Sequence, residues 1–115
     1  MLKINAKNLE TATVLSLQGR IVNGETELLR NAMRGIVERR DVILDLAGVS
    51  TIDAHGLGVM LQLREQAIAR GMHFSVMNVS KPLKMVLEIT RLDTVFEICD
   101  GIEYLPSVWQ ASVAA

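Results

Sequence analysis

The chain is poor in residues that staple, stack or anchor. Its 115 residues include one cysteine, two prolines, one tryptophan, one tyrosine and two phenylalanines. One cysteine cannot close an internal disulfide, which excludes a disulfide-stapled secreted domain. Aromatic residues make up 3% of the chain, too few for the stacking platforms that hold single-stranded nucleic acid. Neither sign of charge is in excess: 12 basic residues face 13 acidic ones, for a formal net charge of −1. The basic footprint of a nucleic-acid binder is therefore missing. No apolar run approaches the ~20 residues of a membrane span; residues 56–61 are cut short by Gln62 and Arg64. Met1-Leu2-Lys3-Ile4-Asn5-Ala6-Lys7 alternates and has no apolar core of a secretory signal. These absences point to a soluble cytoplasmic domain without direct membrane insertion.

What is there is 50% hydrophobic and 22% charged. That excludes an intrinsically disordered chain, which needs low hydrophobicity and high net charge. The length suits one domain, residues 1–115, able to bury a core. Cys99 lies in the apolar stretch Val95-Phe96-Glu97-Ile98-Cys99 and reads as a small buried thiol.

Leu2, Ile4 and Ala6 alternate with Lys3, Asn5 and Lys7, which predicts a short edge strand. Residues 11–19 read as a second strand, and residues 8–10 as the hairpin turn between them. An exposed edge at residues 1–4 invites pairing with a second copy, a homodimer. Asn23-Gly24-Glu25 reads as a helix start, with Asn23 as cap and Glu25 and Glu27 at the positive end of the dipole. Leu28, Leu29, Ala32, Ile36 and Val37 form its apolar face, and Arg39 and Arg40 close it. Val42-Ile43-Leu44-Asp45-Leu46 reads as a buried strand of a parallel sheet. Asp41 and Asp45 flank it as solvated groups, and residues 48–53 read as a loop.

A second helix is expected over residues 54–70. Leu57, Met60, Leu61, Ala67 and Ile68 lie on one face, Val59 and Leu63 flank it, and Gly71 follows as the left-handed terminator. Residues 73–79 read as a strand. Ser80 caps a third helix with Pro82 in its first turn and Leu83, Val86 and Leu87 as its stripe. Residues 95–99 read as a short strand. A last helix is expected from Asp100, with Ile102, Leu105, Val108 and Trp109 docking. The order β-β-α-β-α-β-α-β-α predicts an α/β fold. Its mixed sheet has about five strands, opens on a hairpin and is flanked by about four helices.

Asp53-Ala54-His55-Gly56-Leu57-Gly58 is the segment that could carry function. It follows a buried strand after an intervening loop and opens a helix. Asp53 is placed to cap, its carboxylate accepting from the N–H of His55 or Gly56. Gly56 and Gly58 allow close approach, either of another helix or of a partner protein. The same spacing also suits a purely structural helix start. The dinucleotide-binding glycine fingerprint and a phosphate-loop lysine are absent. No His, Cys, Asp or Glu cluster has metal-ligand spacing. Nothing places Cys99 beside His55 or His73 as a nucleophile–base pair. No catalytic residue and no cofactor is therefore expected.

Several segments in order resemble the STAS family, named for sulfate transporters and anti-sigma-factor antagonists. Gly19-Arg20-Ile21 resembles its G-[ER]-[LI]. Residues 42–53 resemble its hydrophobic strand followed by D-L-x-x-V-x-x-I-D. Asp53-Ala54-His55-Gly56-Leu57-Gly58 resembles D-S-S-G-L-G, and residues 80–92 resemble its S-P-x-V-x-R-V-L-E-L-T-G-L in spacing. The resemblance implies a STAS-type fold and a non-enzymatic regulator of transcription. Such a bacterial module binds an anti-sigma factor that is also a GHKL-type serine kinase, and phosphorylation of the loop serine ends the binding. The alternative implied partner is the ATPase subunit of a lipid-type ABC transporter.

The chain departs from the family at the loop. The serine pair is Ala54-His55, and neither accepts phosphate from a serine kinase. The Asp often found after G-E-L is Asn23 or Val22, and the Gly of T-G-L is Arg91. Three readings stay open: a module never switched here, a switch at Ser50 or Thr51 instead, or His55 acting by titration or phosphorylation. The implied docking surface is residues 53–58, bordered by Arg20 and Asn23.

Overall fold

The computed structural model describes residues 1–36 and 40–99. Strand β1 (Lys3–Asn8) and strand β2 (Ala12–Ile21) form the opening hairpin. Helix α1 (Glu27–Arg34), strand β3 (Asp41–Ile52) and helix α2 (Ala54–Ala69) come next. Strand β4 (Phe74–Met77), helix α3 (Lys81–Ile89), a 3-10 turn (Leu92–Thr94) and strand β5 (Glu97–Cys99) complete the described chain. The five strands make one sheet in the order β1-β2-β3-β4-β5. The β1–β2 pair is antiparallel and the others are parallel, as the alternation of strands and helices requires.

The core lies between one face of this sheet and the three helices. Leu15, Leu17, Leu44, Leu46 and Val76 meet Leu29 and Met33 of α1, Leu57, Met60 and Leu63 of α2, and Leu83 and Leu87 of α3. A smaller cluster of Ala12, Val14 and Ile43 occupies the other face. Burial on both faces is why residues 42–46 read as a nearly unbroken apolar run.

The structure corrects several expectations. Helix α1 starts at Glu27, not at Asn23; its N-cap position is Thr26, which makes no side-chain cap bond. Asn23 and Gly24 form a turn instead, in which the Glu25 N–H donates to the Val22 carbonyl at 3.0 Å. The helix ends at Arg34, so Arg40 does not close it; the Arg40 guanidinium donates to the Leu9 carbonyl. Leu28 and Ile68, assigned to buried faces, are 46% and 52% exposed, whereas Leu2, expected exposed beside the edge strand, is buried although β1 is the outer strand of the sheet. Residues 48–52 are not a loop, because β3 continues on β2 to Ile52 through two register shifts.

Asp45 is not simply solvated. It accepts from Ser16 Oγ at 3.1 Å, Asn78 Nδ2 at 2.9 Å and the Ala47 N–H at 3.1 Å. It thereby joins β2, β3 and the turn after β4. Cys99 is half-buried, its Sγ 3.6 Å from Ser75 Oγ. Residues 95–96 precede the last strand because both N–H groups donate back to Leu92 O. Val37, Arg39 and the expected helix from Asp100, with Ile102, Leu105, Val108 and Trp109, lie outside the described residues.

Candidate functional site

The two register shifts in β3 fall between Ser16 and Gln18 and between Gly19 and Arg20 of the facing strand. Each puts an extra residue into β3, which bends a strand and re-aims the chain beyond it. The residue carried at the end of this bent strand is Asp53, the N-cap of α2. Its Oδ1 accepts the Gly56 N–H at 2.7 Å, and its Oδ2 accepts the Asn23 N–H at 3.0 Å. Its own N–H donates to the Ile21 carbonyl at 3.3 Å. One carboxylate thus caps a helix and fastens the turn after β2 to it. The two donated bonds, from Asn23 first and Gly56 second, hold the Asp53 carboxyl below its ordinary pKa.

The six residues divide into three sets, one of which, Asp53 and Gly58, is half-buried. Ala54 and His55 are exposed, whereas Gly56 and Leu57 are buried. Leu57 anchors the first turn in the core. Gly56 stands so close to β2 that an added Cβ would lie 1.9 Å from the Ile21 carbonyl oxygen. Its close approach is therefore to the sheet, and it offers no surface to a partner. Gly58 is half-buried and has open space where a Cβ would project. Of the two glycines it is the one that leaves helix backbone accessible.

Asn23, predicted as a helix cap, is brought to the site through its backbone N–H. Arg20 borders it: its Nη2 is 3.2 Å from Glu25 Oε2, and Glu25 Oε1 is 3.1 Å from the Met1 ammonium. Glu25 was legible only as a helix-start acid, since the ion pair depends on the turn that displaces the helix. Ser50 and Thr51 are exposed on the end of β3. Ser50 Oγ donates to the Gly19 carbonyl at 3.3 Å. His73 and Cys99 belong to the β4–β5 side of the sheet and take no part here. Among the described residues no three His, Cys, Asp or Glu side chains come together to hold a metal ion, and no helix is long and apolar enough to cross a membrane.

The STAS domain model matches residues 3–104. A STAS-domain containing protein of Pseudomonas aeruginosa is 27% identical over 85 residues, covering 73% of this chain and 84% of that protein. The crystal structure of an anti-sigma factor antagonist, so described, from Thermotoga maritima superposes with a TM-score of 0.74 at 19% identity. That match covers 97% of this chain and 95% of the other. An anti-sigma factor antagonist from Mycobacterium paratuberculosis gives 0.73 at 17% identity, covering 98% and 93%. At these identities the structural matches establish the fold.

Proposed function

The chain belongs to the STAS domain family, and from that premise we propose that it is a non-enzymatic docking module of the anti-sigma-factor-antagonist kind. Its partner is an anti-sigma factor of the GHKL serine-kinase type. The observation that carries the reading is the presentation of Ala54 and His55: both are exposed on the first turn of α2 while Asp53 clamps that turn to Asn23. A rigid, partly apolar turn of this kind loses little entropy on docking. Gly58, one turn on, lets a partner reach the helix backbone. His55 stands where the family carries its phosphoacceptor serine and has no hydroxyl to esterify.

A negative charge at position 55 mimics the phosphorylated family member and sits on the surface that must be desolvated. The test is affinity capture from a lysate of the encoding organism with the parent chain and His55→Glu side by side. Recovery of a GHKL-type kinase by the parent, at least tenfold reduced with the Glu variant, supports the reading. Recovery of an ABC ATPase in its place assigns the module to a transporter. Equal recovery of the kinase by both chains removes this loop as the docking surface.

A further inference from the structure

Helix α3 buries one side and leaves the opposite side bare. Leu83 and Leu87 are buried, which fixes the inward direction of a helix with about 3.6 residues per turn. Met85 lies two residues from each and so points outward, and Ile89 stands one turn further along the same ridge. They are 58% and 78% exposed, the most exposed large apolar side chains after Met1 among the described residues. Scattered apolar residues are ordinary on a surface; here two adjoin on one ridge. Lys84 and Glu88, both exposed, line one flank of that ridge a turn apart. Among the described residues neither makes an ion pair. A lysine N-terminal to its glutamate is the poorer order for pairing along a single helix.

The same order is self-complementary between two helices. When two copies of α3 cross antiparallel about a two-fold axis level with Val86, Lys84 of each copy faces Glu88 of the other. Met85 then falls between Met85 and Ile89 of the second copy, which covers the bare strip. Lys81 and Arg91 stand at the rim, where salt screens like charges, and the left-handed backbone of Arg91 ends the helix there. The outer strand β1 is less suited to self-pairing, because antiparallel pairing about Asn5 opposes Lys3 to Lys7.

We propose that the outer face of α3 is a homodimer contact, on which a second copy packs antiparallel, burying Met85 and Ile89 and pairing Lys84 with Glu88 across the two-fold axis. The contact uses none of residues 53–58 and stands apart from the docking-module reading. A contact built on one nine-residue helix belongs to the small, transient class of interface, so the dimer forms at high protein concentration.

Sedimentation equilibrium of the whole chain at rising concentration tests this. The average mass should climb toward twice that of the chain, with association at least tenfold weaker in Lys84→Glu and in Met85→Ser. The decisive arm mixes Lys84→Glu with Glu88→Lys. Each variant alone sets like charges across the axis, whereas a mixed pair restores opposite charges at both contacts. The mixture should therefore associate at least tenfold more strongly than either variant by itself. All three positions are exposed, and an unchanged urea midpoint verifies that each variant is folded. A chain monomeric at every concentration overturns the proposal. Self-association untouched by these substitutions overturns it too, since the dimer then uses another surface, β1 included. A mixture no better than its components overturns the antiparallel pairing. A monomeric chain whose capture of the kinase partner falls with Met85→Ser assigns the face to that partner instead.

Discussion

Asp53 acts through two backbone bonds, and its charge is what both accept. Because its folded pKa lies below the unfolded value, its contribution is complete above the unfolded carboxylate range. The contribution is lost as pH falls through the folded pKa. Asp53→Asn should lower the denaturation midpoint near neutral pH, with the gap to wild type narrowing below about pH 3.9. Urea titrations at stepped pH measure this, and a gap constant into acid would show that charge is not what Asp53 contributes. The two glycines of the loop separate just as cleanly. Gly56→Ala drives a methyl into the Ile21 carbonyl and should cost about 3 kcal/mol, the upper end for overpacking, or prevent folding. Gly58→Ala meets nothing within 4 Å and should stabilise the chain by about 0.5–1 kcal/mol through helix propensity. If Gly58 faces the partner, the same substitution weakens capture while raising stability.

At the scale of elements, α3 shows how local chemistry sets both ends of a helix. Ser80 Oγ accepts from the Leu83 N–H at 3.4 Å, with proline in the first turn. Beyond the C-cap, Arg91 takes a left-handed conformation at φ 60°, at the position where the family motif carries glycine. A side chain there costs about 1–2 kcal/mol, partly offset because glycine gains entropy on unfolding. Arg91→Gly should therefore stabilise the protein by about 0.5–1 kcal/mol, read as a shift in the urea midpoint at constant slope. A destabilised variant would show that the Arg91 side chain makes contacts worth more than the backbone strain. Helix α1 is the element least visible in the sequence. Asn23 and Gly24 have the composition of a helix start, but the Asn23 N–H is taken by Asp53, thirty residues away in sequence. The helix therefore begins only where the chain is released.

The whole molecule is organised by β3, the central strand, which pairs with β2 on one side and β4 on the other. Leu44, in its middle, is 0% exposed, and Leu44→Ala should cost about 2–5 kcal/mol by cavity formation. Leu28→Ala, on a residue 46% exposed, should change stability by roughly 0.5 kcal/mol or less. Equilibrium unfolding of the two variants checks the contrast. Comparable losses would mean that Leu28 is covered in solution. The β3 strand also outruns β4, whose pairing spans only Val42 to Asp45, where Asn78 turns away and bonds Asp45. The longer strand carries the chain to the end of β2, which is where Asp53 meets Asn23.

The order of the described strands and helices, the caps Asp53 and Ser80, and the terminator Gly71 with φ 75° were legible from the residues alone. Each depends on hydrophobic period or on a hydrogen bond spanning three or four positions. The family resemblance was legible too, since its motifs are contiguous. Tertiary structure decided the rest. The extent of β3 comes from pairing with β2, and no single segment contains that partner. Leu28 and Leu29 stand in the same apolar stripe, yet only Leu29 is buried, because burial depends on where the sheet lies and the periodic signal spans a wider arc. Gly56 reads in sequence as room for another helix or for a partner and proves to be room for the Ile21 carbonyl. The facing of Arg20 and Thr51 is likewise invisible along the chain. It arises from a ladder register between residues far apart in sequence, and register is set by the packing of the whole sheet.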